Sequence, residues 1–173
     1  MSRIIYYTEK GVLLLSIFTV FILFSACGSE TKNDDSNKPT INKTNPSGLT
    51  DFQLENGIGP VKKKLNLGPI NKDLANEGSK IFDSKCASCH KLDERYTGPA
   101  QRNVLQRISP EFFLNMVLNP DENIEKHPHI KKMLAEYMNK MTFQNVTMKD
   151  ALAILEYFRV LDEELQKSKN QSN

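Results

Sequence analysis

Apolar and polar positions divide the chain into four stretches. Residues 12–24 are predominantly apolar, whereas residues 28–48 carry a single large apolar side chain, Ile41. Such a polar segment cannot bury enough surface to offset its ordering entropy, so we expect a disordered tether. Apolar residues return among glycines and prolines at 49–70, which predicts an irregular arm packed on the domain that follows. The alternative is that this stretch only extends the tether.

From residue 71 onward, apolar positions recur at helical spacing. Residues of the kind that cap helices, Asn71, Ser109 and Thr147, precede three of the four periodic segments, and together the segments predict an all-α domain. The predicted helices run from the Asn71 cap into Cys86, over 110–118 after Ser109, over 128–139, and over 148–166 after Thr147. The predicted domains are a signal peptide at 1–26, the tether at 27–48, the arm at 49–70, a helical domain at 71–168 and a disordered tail at 169–173.

Gly78 lies inside the first predicted helix, on the same face as Leu74, Ile81 and Phe82. Glycine costs about 0.5–1 kcal/mol in a helix interior, so its presence needs a structural reason. Close approach by another helix would supply that reason.

Composition and charge narrow the possible functions. The net charge is +2, from 23 Lys and Arg against 21 Asp and Glu, which argues against a nucleic-acid partner. Apolar residues make up 39% of the chain, but many of them lie in the N-terminal stretch. The helical domain therefore has few large side chains for its core, which suggests that something else fills its centre. The three cysteines do not suggest a disulfide scaffold.

The N-terminus has the layout of an export signal. Arg3 and Lys10 precede the apolar stretch, which is too short to span a bilayer comfortably. The sequence Leu23-Phe24-Ser25-Ala26-Cys27 resembles a bacterial lipoprotein signal, which implies lipidation of Cys27. The alternative is an uncleaved signal anchor. Either interpretation predicts a domain tethered to a membrane of the bacterial cell envelope, on its periplasmic side.

The sequence Cys86-Ala87-Ser88-Cys89-His90 carries the chemistry. Two cysteines three positions apart, followed at once by a histidine, are typical of covalent attachment of c-type haem. A zinc site would need further ligands, a thioredoxin-like site would need a preceding strand, and a disulfide would close a strained loop. We therefore predict one covalent haem, with thioethers at Cys86 and Cys89 and His90 directed at the iron.

Gly78, Phe82, the haem motif and the segment at 153–159 together resemble the class I monohaem cytochromes c. The resemblance covers residues 71–165 and implies three or more helices around one haem, with the first and last helices crossing at the glycine and the aromatic residues. It also implies a second iron ligand, a methionine from the loop before the last helix. Gly98-Pro99 resembles the pair whose proline carbonyl accepts the histidine Nδ1 proton.

Met141 lies six residues before the Thr147 cap, where the family places that ligand. Met138 is the runner-up, and a different ligand or an open iron position is the remaining alternative. Met116, Met133 and Met148 fall within predicted helices. We expect His127 and His129 to be exposed, because they flank Pro128 in a polar stretch.

Residues around 104–118 are candidates for the wall of the haem pocket. Three arginines are candidates to pair with the haem propionates. The wall candidates are Val104, Leu105, Ile108, Phe112, Phe113, Leu114 and Val117, and the arginines are Arg95, Arg102 and Arg107.

Ligation by His and Met favours one-electron transfer. We therefore expect a membrane-anchored monomeric electron carrier in a bacterial respiratory chain, with no catalytic residues. Its donor would be a quinol-oxidising complex or a soluble protein, and its acceptor a terminal reductase or oxidase. Segments 91–100 and 141–147 are similar to cytochromes of Bacteroidetes-type bacteria, some of which accompany nitrous oxide reductase. The alternative is a haem enzyme or sensor whose sixth iron position is open or displaceable.

Overall fold

The computed structural model describes residues 46–171. Within this range the secondary structure is helical, and no β-strand is present. None of the helices within 46–171 is long and apolar enough to cross a membrane. The signal peptide, Cys27 and nearly all of the tether lie outside the described residues. The helices are α1 (Asp51–Asn56), α2 (Lys72–Lys85), α3 (Val104–Arg107), α4 (Pro110–Leu118), α5 (Pro120–Lys126), α6 (Pro128–Tyr137) and α7 (Met148–Gln171).

Helices α2 and α7 pack against each other at Gly78. A Cβ atom at this position would overlap the backbone carbonyl of Ala153 and lie 2.8 Å from the amide nitrogen of Ile154. Phe82, one turn later, meets the ring of Phe158 edge to face, with centroids 5.3 Å apart. The expected crossing of the first and last helices at the glycine and the aromatic residues is therefore confirmed.

Local capping explains where the long helices begin. The Asn71 side chain accepts a hydrogen bond from Leu74 N at 3.0 Å, and Ser109 Oγ accepts one from Phe112 N at 3.0 Å. Thr147 and Asp150 form a reciprocal pair at the start of α7. These bonds satisfy amide groups that a helix start leaves unpaired, so the predicted starts at Asn71, Ser109 and Thr147 are confirmed.

The segment before α2 packs on the helical domain through both apolar and polar contacts. Leu49, Ile58 and Val61 are buried, and two buried asparagines bind the backbone of this segment. Asn115 accepts from Val61 N at 2.9 Å, and Asn123 accepts from Ile58 N at 2.8 Å. Their amide groups donate back to the carbonyls of the same two residues.

Several boundaries differ from the sequence predictions. Helix α7 continues to Gln171, so the prediction of disorder from residue 169 is wrong for residues 169–171. The added turn consists largely of good helix formers, and it follows an ion pair between Glu163 and Lys167 on the same helix. Helix α6 ends at Tyr137 because Met138 adopts a left-handed conformation, with φ 54°. The short helices α1, α3 and α5 were not predicted.

Candidate functional site

The two motif cysteines lie on a tight turn at the end of α2. Cys86 N donates to Phe82 O at 2.8 Å, and both Cys89 N and His90 N donate to Cys86 O. The turn leaves Cys86 half-buried and Cys89 exposed. Burial raises the pKa of the Cys86 thiol to about 11. Cys86 and Cys89 line one cavity together with His90.

The ring of His90 is held against the backbone of the loop at 97–101. Its Nδ1 lies 3.4 Å from Pro99 O, the carbonyl that the resemblance described above implies as its acceptor. Gly98 touches the ring so closely that a Cβ there would lie 2.8 Å from Nδ1. Burial lowers the pKa of His90, while the Pro99 carbonyl partly opposes the shift. The surroundings therefore favour a neutral imidazole, the form that binds metals.

The cavity beside these residues has a volume of about 450 Å³. Its lining is predominantly apolar and comes from all the helices from α2 to α7 as well as from the loops on either side. Of the predicted wall residues, Val104, Ile108, Phe112, Phe113 and Val117 line it. Leu105 and Leu114 do not, and Leu114 is fully buried in the helical core.

Three methionines line the cavity: Met116, Met133 and Met141. Met141 lies in the loop between α6 and α7, whereas the other two project from helices. The runner-up Met138 does not line the cavity and is 86% exposed, because its left-handed backbone ends α6 at the surface. The geometry therefore brings Met141 to the same cavity as His90, although its role as an iron ligand stays a prediction.

The three arginines have different surroundings. Arg107 lines the cavity and donates to Ala100 O at 2.6 Å. Arg95 pairs with Glu136 and stacks on the Tyr137 ring, with 4.1 Å between the guanidinium carbon and the ring centroid. Arg102 pairs with Asp93, whose pKa it lowers. Arg107 alone of the three therefore lies where it could meet an acidic group in the cavity.

The expectation that both later histidines are exposed is wrong for His127. His127 is 3% exposed, and its ring packs edge to face on Phe112 and contacts Leu54 O through Nε2 at 3.1 Å. The N-terminal segment covers it, which the local polar sequence could not indicate. His129 is exposed as expected, at the rim of the cavity.

Gln101 and the inner face of α6 also line the cavity, and the sequence analysis did not place them there. Gln101 contacts His90 directly, and nothing in its local sequence marked it. The inner face of α6 did carry a signal, because its lining residues follow helical spacing. They are Ile130, Met133, Leu134 and Tyr137.

These features fit a flat, largely apolar prosthetic group held by two thiols and one imidazole. The cavity is mostly apolar, the two cysteines and the imidazole share it, and a side chain at Gly98 would overlap the imidazole ring. No cluster of three or more His, Cys, Asp or Glu side chains suited to a bare metal ion occurs among residues 46–171. The donor set is therefore suited to an iron porphyrin.

Comparison with known proteins gives the same result. The family model for cytochrome c matches residues 75–162. A solved cytochrome c from Rhodothermus marinus is 42% identical, with a TM-score of 0.61 over 65% of this chain and 97% of that one. An engineered cytochrome c from Rhodothermus marinus is 41% identical, with a TM-score of 0.60 over 64% and 96% of the two chains.

A further structure of the engineered Rhodothermus marinus protein, bound to a carbene intermediate, is also 41% identical. Its TM-score is 0.58, and the match covers 64% of this chain and 96% of that one. No match was found among curated proteins.

Proposed function

This chain belongs to the cytochrome c family, and from that membership we propose that it is a membrane-anchored electron carrier whose iron ligands are His90 and Met141. It is a class I monohaem cytochrome c with the all-α fold and one covalently attached haem c, and it acts in electron transfer. The anchoring, the ligand pair and the partners form the proposal. The observation that carries it is that Cys86, Cys89, His90 and Met141 line one apolar cavity.

In this proposal the chain's own residues hold and shield the cofactor. Cys86 and Cys89 attach it through thioethers, and His90 binds the iron through Nε2 while its Nδ1 proton is directed to Pro99 O. Bound haem c supplies a one-electron couple whose potential depends on its axial ligands and surroundings. The apolar side chains of α4 and α6 that line the cavity would limit the access of water to the bound group, which favours electron transfer with little solvent reorganisation.

The second ligand is tested by comparing methionine variants. The Met141→Ala variant should lose the weak near-infrared band that methionine sulfur gives on ferric haem, and Met138→Ala should keep it. Met133→Ala is the matched control, because Met133 lines the same cavity from a helix. Loss of the band in Met133→Ala alone would contradict the assignment.

The same samples test the alternative of an enzyme or sensor with an open iron position. A closed His and Met pair leaves no position for an external ligand, so carbon monoxide and cyanide should bind slowly to the wild type. Fast binding of both, together with absence of the near-infrared band in the wild type, would favour the alternative.

The anchor and its location rest on the N-terminal sequence. A lipid on Cys27 would hold the domain at the periplasmic side of a bacterial membrane, and the polar tether would let it reach fixed partners at high effective concentration. A Cys27→Ser chain should be released from the membrane fraction. A variant that stays attached to washed membranes would refute lipidation and leave the uncleaved signal anchor.

The partners follow from one-electron chemistry. We propose a quinol-oxidising complex or a soluble donor on one side, and an oxidase or a terminal reductase such as nitrous oxide reductase on the other. The near-neutral charge and the monomeric state expected from the sequence are compatible with brief encounters. Reduction and reoxidation of the purified protein by isolated membranes, with and without each electron acceptor, would identify the acceptor.

A further inference from the structure

The side-chain amide of Gln101 contacts both members of the pair that orients His90. Its Nε2 lies 2.8 Å from Pro99 O and 2.9 Å from His90 Nδ1. These two atoms are themselves 3.4 Å apart, beyond the usual range of an N–H···O bond. The amide is therefore closer to each partner than the partners are to one another.

Gln101 is placed there by the backbone. Its amide N–H donates to Lys91 O at 3.0 Å, and its carbonyl accepts from Val104 N at 3.1 Å. The residue is 8% exposed, so its side chain cannot readily exchange these contacts for water. A buried amide in a fixed position contributes a lasting hydrogen-bond donor to the histidine's surroundings.

The two donors compete for one carbonyl. When Nε2 of His90 is an iron ligand, the ring proton must lie on Nδ1. Nδ1 and the Gln101 amide nitrogen are then both donors, so they do not bond to each other, and Pro99 O is the acceptor that both face. The Gln101 amide already donates to that oxygen over a shorter distance. A carbonyl that accepts two donors binds each less strongly, so the Nδ1 proton stays more firmly on the ring and the imidazole remains a weaker electron donor.

We propose that Gln101 is a positioning residue that shares the Pro99 carbonyl with His90 and thereby raises the reduction potential of the protein. A more basic imidazole stabilises ferric over ferrous iron, so weakening its hydrogen bond has the opposite effect. This inference rests on the proposed function, in which His90 ligates the iron.

The test uses the full haem-loaded protein and three variants. Gln101→Leu removes the competing donor, and Gln101→Glu replaces it with an acceptor for the Nδ1 proton. Gln106→Leu is the matched control. It makes the same chemical change as Gln101→Leu, but at an exposed position on α3 away from His90. The reduction potential and the proton resonance of His90 Nδ1–H are measured for each.

We expect lower potentials in both Gln101 variants, with Gln101→Glu the lower of the two, and no change in Gln106→Leu. A tenfold change in the one-electron equilibrium constant corresponds to about 59 mV, and we expect shifts of up to that size. The Nδ1 proton resonance should move downfield as its hydrogen bond strengthens. If Gln101→Leu fails to fold, Gln101→Glu has nearly the same shape as glutamine and still tests the direction.

An unchanged or raised potential in Gln101→Leu would overturn the inference. A raised potential would mean that the amide oxygen, rather than its nitrogen, faces Nδ1 and accepts its proton. Failure of the proposed ligation is distinguishable, because it would show in the wild type as a missing near-infrared band or a missing His90 Nδ1 resonance.

Discussion

The backbone carbonyl of Ala153 lies directly against Gly78, with no room between them for a Cβ atom. This contact sets the separation of α2 and α7, the helices that supply the aromatic core.

Replacing Gly78 by Ala should destabilise the protein. The added methyl group would force α2 and α7 apart, and overpacking of this kind costs about 1–3 kcal/mol or more. Urea unfolding of the haem-loaded protein measures the loss. Gly68→Ala is the matched control, because nothing lies within 4 Å of a Cβ at Gly68. Equal midpoints for the two variants would contradict the close crossing.

Replacing Gly98 by Ala should weaken the hold of His90 on the iron. The new methyl group would overlap the imidazole and tilt it, and disturbing the support of a metal-binding histidine typically costs about 10–100-fold in affinity. Protons compete with iron for the ring, so the acid transition of the ferric absorption spectrum should move upward by at least about one pH unit. The Gly68→Ala variant should keep the wild-type transition, and a wild-type transition in Gly98→Ala would contradict the contact.

Local signals explain which parts of the fold could be predicted from sequence. The caps at Asn71, Ser109 and Thr147 depend on residues three positions apart, so they could be predicted from the local sequence. Helix α1 was missed even though Thr50 and Gln53 form a capping box, because it spans six residues in a segment rich in glycine and proline.

Tertiary contacts explain the rest. Burial of His127 depends on Leu54, which is 73 positions away, and the position of Gln101 against His90 depends on a loop that folds back across the motif. Polar residues in such places look like surface residues in the sequence. The haem motif could be recognised because its chemistry requires adjacent residues, whereas the surroundings that adjust that chemistry are assembled by the fold.

Replacing Asn123 by Ala should loosen the N-terminal segment. Ile58 N would lose its acceptor in a buried setting, at a cost of about 1–3 kcal/mol, whereas Ile58 O would keep the Asn119 amide as its donor. Asn123→Asp keeps an acceptor for Ile58 N but replaces the donor that binds Ile58 O, Asn115 O and Asn119 O by a carboxylate oxygen, so it should also destabilise the protein. Urea unfolding and amide exchange at Ile58 measure both effects. Asn76→Ala, at an exposed position on α2, is the control, and equal stability of Asn76→Ala and Asn123→Ala would contradict the role of this contact.

The buried ring of His127 should make stability depend on pH. Burial is the main cause of its lowered pKa, and Nδ1 has no partner among the described residues. Because the pKa of His127 is lowered in the folded protein, the unfolded chain binds the proton more readily. The free energy of unfolding is therefore highest above pH 6.5, near the ordinary histidine pKa, and falls as the pH drops below that value. The His127→Gln variant should lose this slope in unfolding measured from about pH 7.5 to 5, while His129→Gln, at an exposed position, should keep most of it. Identical slopes in wild type and His127→Gln would refute this origin.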